Sequence, residues 1–165
     1  MKRRFSIFIW TIVLGLSLEL WLGGWPSLWA KPPPDLVMTA VSTTTTNVPV
    51  GGSLAIAETV ANQGNSITTS GFYVGLYLSV DATITTADTR VGERWVSSLA
   101  TGATSPGTTT VTVPTTLGPG TYYIGAIADY DARQAESNEA NNVLAGATLY
   151  DAGGTSRRRP TAKGR

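Results

Sequence analysis

The acidic segment at residues 129–139 holds the side chains best suited to binding a metal ion. It carries four carboxylates: Asp129, Asp131, Glu136 and Glu139. Carboxylate oxygens are the ligands that calcium prefers, and the ion takes about six to eight oxygens. Gln134, however, stands where an EF-hand loop needs glycine. We therefore expect no cofactor and no specific metal site here, and calcium bound weakly by these four carboxylates is the alternative.

Asparagines at the end of this segment favour a purely structural interpretation. Asn138, Asn141 and Asn142 lie between the last two predicted strands. Short polar side chains in turns commonly bond their own backbone. We expect these three to hold the connection in this way. Asn62 and Gly64 mark an earlier turn of the same chemistry.

The composition excludes most kinds of nucleophilic and metal-dependent catalysis. The chain has no cysteine and no histidine, so Ser-His-Asp and Cys-His sites, zinc fingers and His- or Cys-ligated haem lack their essential groups. Asp81 and Asp88 could serve as the acid and base of a glycosidase. Two aspartates in a polar loop are more often turn formers. The sequence therefore predicts that the protein is not an enzyme.

Aromatic residues offer a different chemistry. Tyr73 and Tyr77 fall in one predicted strand and Trp95 in the next. Their rings present flat apolar surfaces with polar handles, which suits stacking on a sugar. Ordinary coverage of a sheet face by strand residues is the alternative.

Charge is segregated along the chain. Residues 35–151 contain ten acids and three arginines, a net charge of −7, whereas residues 152–165 contain five bases and no acid. Such a basic tail in a Gly/Ser/Thr/Pro context is predicted to be disordered. An electrostatic tether to anionic polymer is the alternative for the tail. We expect no nucleic-acid partner.

The first 30 residues have the layout of an export signal. A basic stretch at residues 2–4 precedes an apolar run at 5–18, and Ala30 offers a small residue for cleavage. The alternative is an uncleaved anchor, because the apolar stretch at 5–25 approaches the about 20 residues that span a bilayer. Either outcome makes the protein secreted or attached to the cell surface, and membrane contact is expected only through this segment.

The body is predicted to be all-β, because apolar residues recur in it with a period of two. A proline run at residues 31–34 precedes it as an extended spacer. Predicted strands cover residues 35–41, 53–62, 72–80, 90–99, 108–113, 121–130 and 142–150. Seven strands between turn signals, over residues 35–151, predict a seven-stranded immunoglobulin-like (fibronectin-III-like) β-sandwich.

A corner before the sixth strand supports the sandwich. Leu117, Pro119 and Gly120 precede the pair Tyr122 and Tyr123. In such sandwiches a tyrosine near the start of the penultimate strand bonds back to the backbone a few residues upstream. The spacing allows either tyrosine to fill this role.

Residues 34 to about 150 resemble the CARDB family, the cell-adhesion-related domain found in bacteria. The resemblance is carried by residues 34–37, 60–64, 72–84, 117–123, 129 and 135–142. It implies an immunoglobulin-like sandwich on exported and surface proteins, without catalytic residues. The function expected from it is binding or adhesion to a surface protein or polysaccharide, and a purely structural spacer is the alternative.

Glu58 departs from the family pattern. It shares the strand face of Leu54, Ile56 and Val60, which point into the predicted core. A carboxylate carried there without a partner costs several kcal/mol. We therefore expect Glu58 to lie near an end of the sandwich or to meet one of the three arginines of the body: Arg90, Arg94 or Arg133.

Overall fold

A computed structural model describes residues 31–149. The export signal at 1–30 and the basic tail at 152–165 lie outside the described residues, so both stay predictions. Within residues 31–149 no helix is long and apolar enough to cross a membrane.

Within residues 31–149, seven strands form two antiparallel sheets. The strands are β1 Leu36–Ser42, β2 Ser53–Asn62, β3 Phe72–Ser79, β4 Thr89–Val96, β5 Thr104–Thr112, β6 Tyr122–Ala128 and β7 Val143–Leu149. The three-stranded sheet has the order β1-β2-β5 and the four-stranded sheet the order β4-β3-β6-β7. The predicted all-β immunoglobulin-like sandwich is confirmed.

Two strand boundaries differ from the predicted ones by three residues or more, and the others agree to within two. β5 begins at Thr104 instead of residue 108 and so includes Pro106. It can do so because β5 is an edge strand, the place in a sheet that tolerates proline. β4 ends at Val96 instead of residue 99, and the buried Leu99 donates its N–H to the Thr68 hydroxyl at 2.9 Å.

The period of two in the sequence places the core between the sheets. Leu54, Ile56 and Val60 of β2 face the same cluster as Val74 and Leu76 of β3. All five are completely buried. Burial of a side chain of this kind contributes about 1.5–3 kcal/mol, which favours packing the two sheets face to face.

The corner before β6 uses Tyr122. Its hydroxyl donates to the Gly118 carbonyl at 3.0 Å and its ring belongs to the core, which the half-buried Leu117 also contacts. Tyr123 points to the outer face of the sheet, because neighbouring strand residues alternate. Pro119 and Gly120 form the exposed part of the turn.

The segment before β1 packs against the sandwich. Pro34, at the end of the predicted spacer, is buried, and its carbonyl accepts the Ser137 N–H at 2.9 Å. The Pro32 carbonyl accepts the Ser66 hydroxyl at 2.5 Å. These bonds fix the entry of the chain into β1 next to the acidic segment.

Candidate functional site

Four aromatic rings and two arginines lie together on the outer face of the four-stranded sheet, and we call this group the aromatic face. Tyr73 and Tyr77 point outward from β3, and Trp95 is the cross-strand partner of Tyr73 on β4. The members of the aromatic face are Tyr73, Tyr77, Trp95, Tyr130, Arg90 and Arg133.

The four rings form a chain of contacts, two of them edge to face and the Tyr73–Tyr130 contact tilted at 47°. The ring centroids of Tyr73 and Trp95 are 4.7 Å apart, and Tyr130 lies 6.3 Å from Tyr73 and 6.4 Å from Tyr77. Aromatic pairs are stabilising at such separations. Trp95 is 47% exposed, whereas Tyr77 is only 2% exposed. Of the three aromatic residues named from the sequence, Tyr77 therefore forms the floor and cannot offer its ring to a ligand.

Tyr130 belongs to the aromatic face, although it was not among the aromatic residues predicted from the sequence to bind a ligand. It follows β6 in a turn where Asp129 adopts a positive φ of 47°. That turn directs the chain back over the sheet. In the sequence, Tyr130 stands between two aspartates just after a strand. This pattern predicts a turn, but it does not indicate whether the tyrosine ring folds back onto the sheet.

Two glycines allow the rings to lie on the backbone of the sheet. A Cβ at Gly71 would collide with the Trp95 indole, and one at Gly75 would be 2.8 Å from Cδ1 of Tyr130. Neither position therefore accepts a larger residue without displacing a ring. The rings of Trp95 and Tyr130 therefore lie close against the backbone before and within β3.

The charges of the aromatic face form two neutral pairs. The Arg133 guanidinium lies 5.1 Å from the Tyr73 ring and 5.6 Å from the Trp95 ring, and it pairs with Asp131. Arg90 lies 4.7 Å from the Tyr130 ring and pairs with Glu93. Contacts of this kind are cation–π interactions.

The hydroxyl of Tyr130 completes the second pair. It donates to Glu93 at 2.5 Å, and this hydrogen bond raises the pKa of Tyr130 to about 12. The phenol is therefore protonated and remains a donor at neutral pH.

The carboxylates of the acidic segment are used by the protein itself. Both oxygens of Asp129 accept backbone N–H groups, from Arg133 at 3.0 Å and Gln134 at 2.7 Å, while burial raises its pKa. Glu136 accepts the Leu36 N–H and the Asn142 side chain. Burial is the main cause that raises the pKa of Glu136 to about 7.

The arrangement of these side chains does not resemble a metal site. Glu139 caps the N–H of Glu136 at 3.0 Å, and Asp131 is paired with Arg133. Among residues 31–149 no three acidic side chains are placed to hold one ion. The four candidate ligands therefore do not fit a divalent cation, and the absence of a specific calcium site stays a prediction.

The asparagines satisfy buried polar groups. Asn62 accepts the N–H groups of Asp35 and Gly64 and donates to two carbonyls. Asn138 bonds the backbone of its own turn. Asn141 and Asn142 instead reach Asp35 of the β1 entry and the Ala128 carbonyl of β6. The expectation of purely local bonding is therefore wrong for these two, because they lie beside neighbouring strands.

Glu58 meets Arg94, one of the three arginines predicted for it. Glu58 is 2% exposed and accepts the Nε–H of Arg94. Arg94 also donates to the Ser105 hydroxyl at 3.0 Å and the Ser105 carbonyl at 2.9 Å. It crosses above Gly107, where a Cβ would strike the guanidinium. We call Glu58, Arg94 and Ser105 the inter-sheet clasp, because they join β4 of one sheet to β2 and β5 of the other.

The outer face of the three-stranded sheet is chemically plain. It has a shallow groove of about 450 Å³, whose side-chain walls are mainly Ala, Ser, Thr and Pro, around Ala57 and Thr59. The Glu58 backbone borders it, but the side chain turns into the sandwich.

Asp81 and Asp88 cap N–H groups of their own loop, as predicted for turn formers.

Comparison with known proteins identifies a family of domains that the chain matches. Residues 33–146 match the family model of the CARDB domain. The CARDB domain of a Pyrococcus furiosus protein, solved in complex with di-metal ions, is 24% identical, with a TM-score of 0.51 over 73% of this chain and 88% of that domain. No curated protein is significantly similar in sequence.

A second solved structure supports the same fold. It is a domain of a candidate cell surface protein from Methanosarcina acetivorans, 23% identical, with a TM-score of 0.52 over 77% of this chain and 99% of that one. At these identities the similarity shows the fold alone.

Proposed function

Because the chain belongs to the CARDB family, we propose that it is a non-catalytic binding or adhesion module that contacts a surface protein or a polysaccharide outside the cytoplasm. The ligand surface in this proposal is the aromatic face. The layout of residues 1–30 supports export, and the name of the Methanosarcina relative supports a position at the cell surface.

The exposed indole of Trp95 carries this proposal. Nearly half of its surface is open to solvent beside Tyr73 and Arg133. Tryptophan, tyrosine and arginine are the residues that contribute most to binding energy in protein interfaces. Exposed apolar surface with a polar rim is typical of interaction sites. The outer face of the other sheet offers none of these side chains in its groove.

The engagement of the carboxylates supports a non-catalytic role. Asp81 and Asp88 are occupied by N–H groups of their loop. Glu93 and Asp131 are held by arginines. A general acid or base needs a proton that it can exchange with a substrate within hydrogen-bond reach, and these four groups are already committed.

The test is binding of the labelled full chain to intact cells and envelope fragments of the source organism. We expect saturable binding that Trp95→Ala weakens by about tenfold or more, since it removes a central aromatic anchor. Ile67→Ala is the matched control, because Ile67 is equally exposed but lies in a loop outside the aromatic face.

Equal binding by the wild type and Trp95→Ala would contradict the proposal. The structural spacer would then be the better interpretation, since a spacer needs correct folding but no exposed anchor. Circular dichroism of both variants excludes misfolding as the cause of any loss.

A further inference from the structure

We infer that the aromatic face binds an uncharged polysaccharide chain. This inference rests on the proposed function and names the ligand class of the same surface. It follows from three properties of that surface: its neutral charge pairs, its exposed indole and its extent along the sheet.

The charge distribution disfavours an anionic ligand. Both arginines of the aromatic face are already paired, Arg90 with Glu93 and Arg133 with Asp131. An anionic polymer would therefore meet no free cation on this surface. It would also approach a body whose net charge between residues 35 and 151 is −7, which repels it at a distance.

The same pairs disfavour a basic peptide. The two carboxylates that could attract its side chains are occupied by arginines of this chain. Guanidinium groups of this chain already lie over the rings of Tyr73, Tyr130 and Trp95. A basic ligand would have to displace the guanidinium groups of Arg90 and Arg133. Its net gain in binding free energy would be small, because one cation replaces another.

Sugar hydroxyls match the groups that remain. A hydroxyl both donates and accepts a hydrogen bond, and each pair offers arginine N–H donors next to carboxylate acceptors. The apolar C–H face of a pyranose ring can contact the exposed part of the Trp95 indole beside Arg133, since Trp95 is 47% open to solvent. Specific sites combine an apolar surface with a few convergent polar groups in this way.

The extent of the surface favours a chain over a single sugar. The rings follow one another from Trp95 through Tyr73 to Tyr130, with steps of 4.7 and 6.3 Å between centroids. The two arginine–carboxylate pairs lie along the same row. A single sugar would leave most of this row uncovered, whereas an extended chain can contact the indole of Trp95 and the polar groups of both pairs.

The experiment uses envelope fragments that have been boiled in detergent and digested with protease. The full chain should bind them as well as it binds untreated fragments. Binding should be unchanged in about 0.5 M NaCl, where surface electrostatics are largely screened. It should disappear after trifluoromethanesulfonic acid, which cleaves glycosidic bonds.

Three variants connect this result to the surface. Trp95→Ala should weaken binding to the digested fragments by about tenfold or more, Trp95→Phe by only a few fold because a ring is retained, and Ile67→Ala should leave it unchanged. Retained folding of Trp95→Phe keeps the test valid if Trp95→Ala is unstable.

Loss of binding after protease digestion would overturn the inference in favour of a protein partner. Loss in salt of the part of the binding that depends on Trp95 would overturn it in favour of a charged polymer. Both results leave the proposed function standing if Trp95→Ala still weakens binding to intact cells. Insensitivity of cell binding to Trp95→Ala would instead contradict the proposed function itself.

Discussion

The inter-sheet clasp and the aromatic face contain the same chemical pair in opposite environments. In the clasp, Glu58 has a completely buried side chain and Arg94 one that is 20% exposed. On the aromatic face, the side chains of Arg90 and Glu93 are 45% and 40% exposed. A buried pair cannot lose one member without leaving an uncompensated charge, whereas an exposed pair is nearly neutral in energy. The comparison shows that burial decides whether an ion pair serves the fold or remains available to a ligand.

The largest expected effect is on the clasp. Arg94→Ala leaves Glu58 buried without a cation and should lower the free energy of unfolding by about 3–5 kcal/mol. Urea denaturation measures this directly. Arg90→Ala on the aromatic face is the matched control and should change stability by less than about 1 kcal/mol.

A double variant sharpens this prediction. Glu58→Leu combined with Arg94→Met removes both charges and should recover most of the lost stability, because apolar replacements avoid the desolvation penalty. Equal stability of Arg94→Ala and Arg90→Ala would show that the buried ion pair is no more important for folding than the exposed one.

Glu136 provides the next largest effect, since it is a partly buried carboxylate with N–H partners but no cation. Its pKa rises from 4.5 to about 7 in the folded protein, so the folded state binds the proton more tightly than the unfolded chain. Its contribution to stability is therefore full below pH 4.5 and is lost as the pH rises towards 7. After discounting for partial exposure, the fall is about 1–2 kcal/mol.

Glu136→Gln should remove this fall while leaving the rest of the pH profile in place. Thermal melts from pH 4 to about 8 compare the two proteins. A wild-type stability that rises over this range, relative to the Gln variant, would contradict the assigned direction.

A smaller effect concerns Glu93 on the aromatic face. Glu93→Gln weakens the acceptor that raises the pKa of Tyr130 to about 12, so that pKa should return towards the ordinary value for tyrosine. Ultraviolet titration of the phenol reports it. Stability should change by less than about 1 kcal/mol, because the pair is exposed. If Glu93→Gln lowered the free energy of unfolding as much as Arg94→Ala, the exposed pair would be as important for folding as the buried one.

The smallest expected effect is that of divalent cations. Because backbone N–H groups occupy both Asp129 oxygens, calcium and magnesium should shift the melting temperature equally and slightly, by screening. A calcium-selective shift of several degrees, abolished by Asp129→Asn, would make the acidic segment a metal site and a competing candidate for function.

The sequence by itself determined the β-sandwich and its core. An apolar period of two identifies strands with one face against a core, and seven such strands between turn signals predict a sandwich. It also restricted the partners of Glu58, because a charge on the inner face needs compensation and the body has three arginines. Turn chemistry located the corner before β6 and the loops of Asp81 and Asp88.

The tertiary structure alone decided which of these side chains meet. It selected Arg94 for Glu58 because β4 and β5 are the adjoining edges of the two sheets. It buried Tyr77 and brought Tyr130 over the sheet, because the turn after β6 reverses above Gly75. Contacts between residues far apart in the chain depend on the distance and orientation of packed sheets, which local periodicity does not encode.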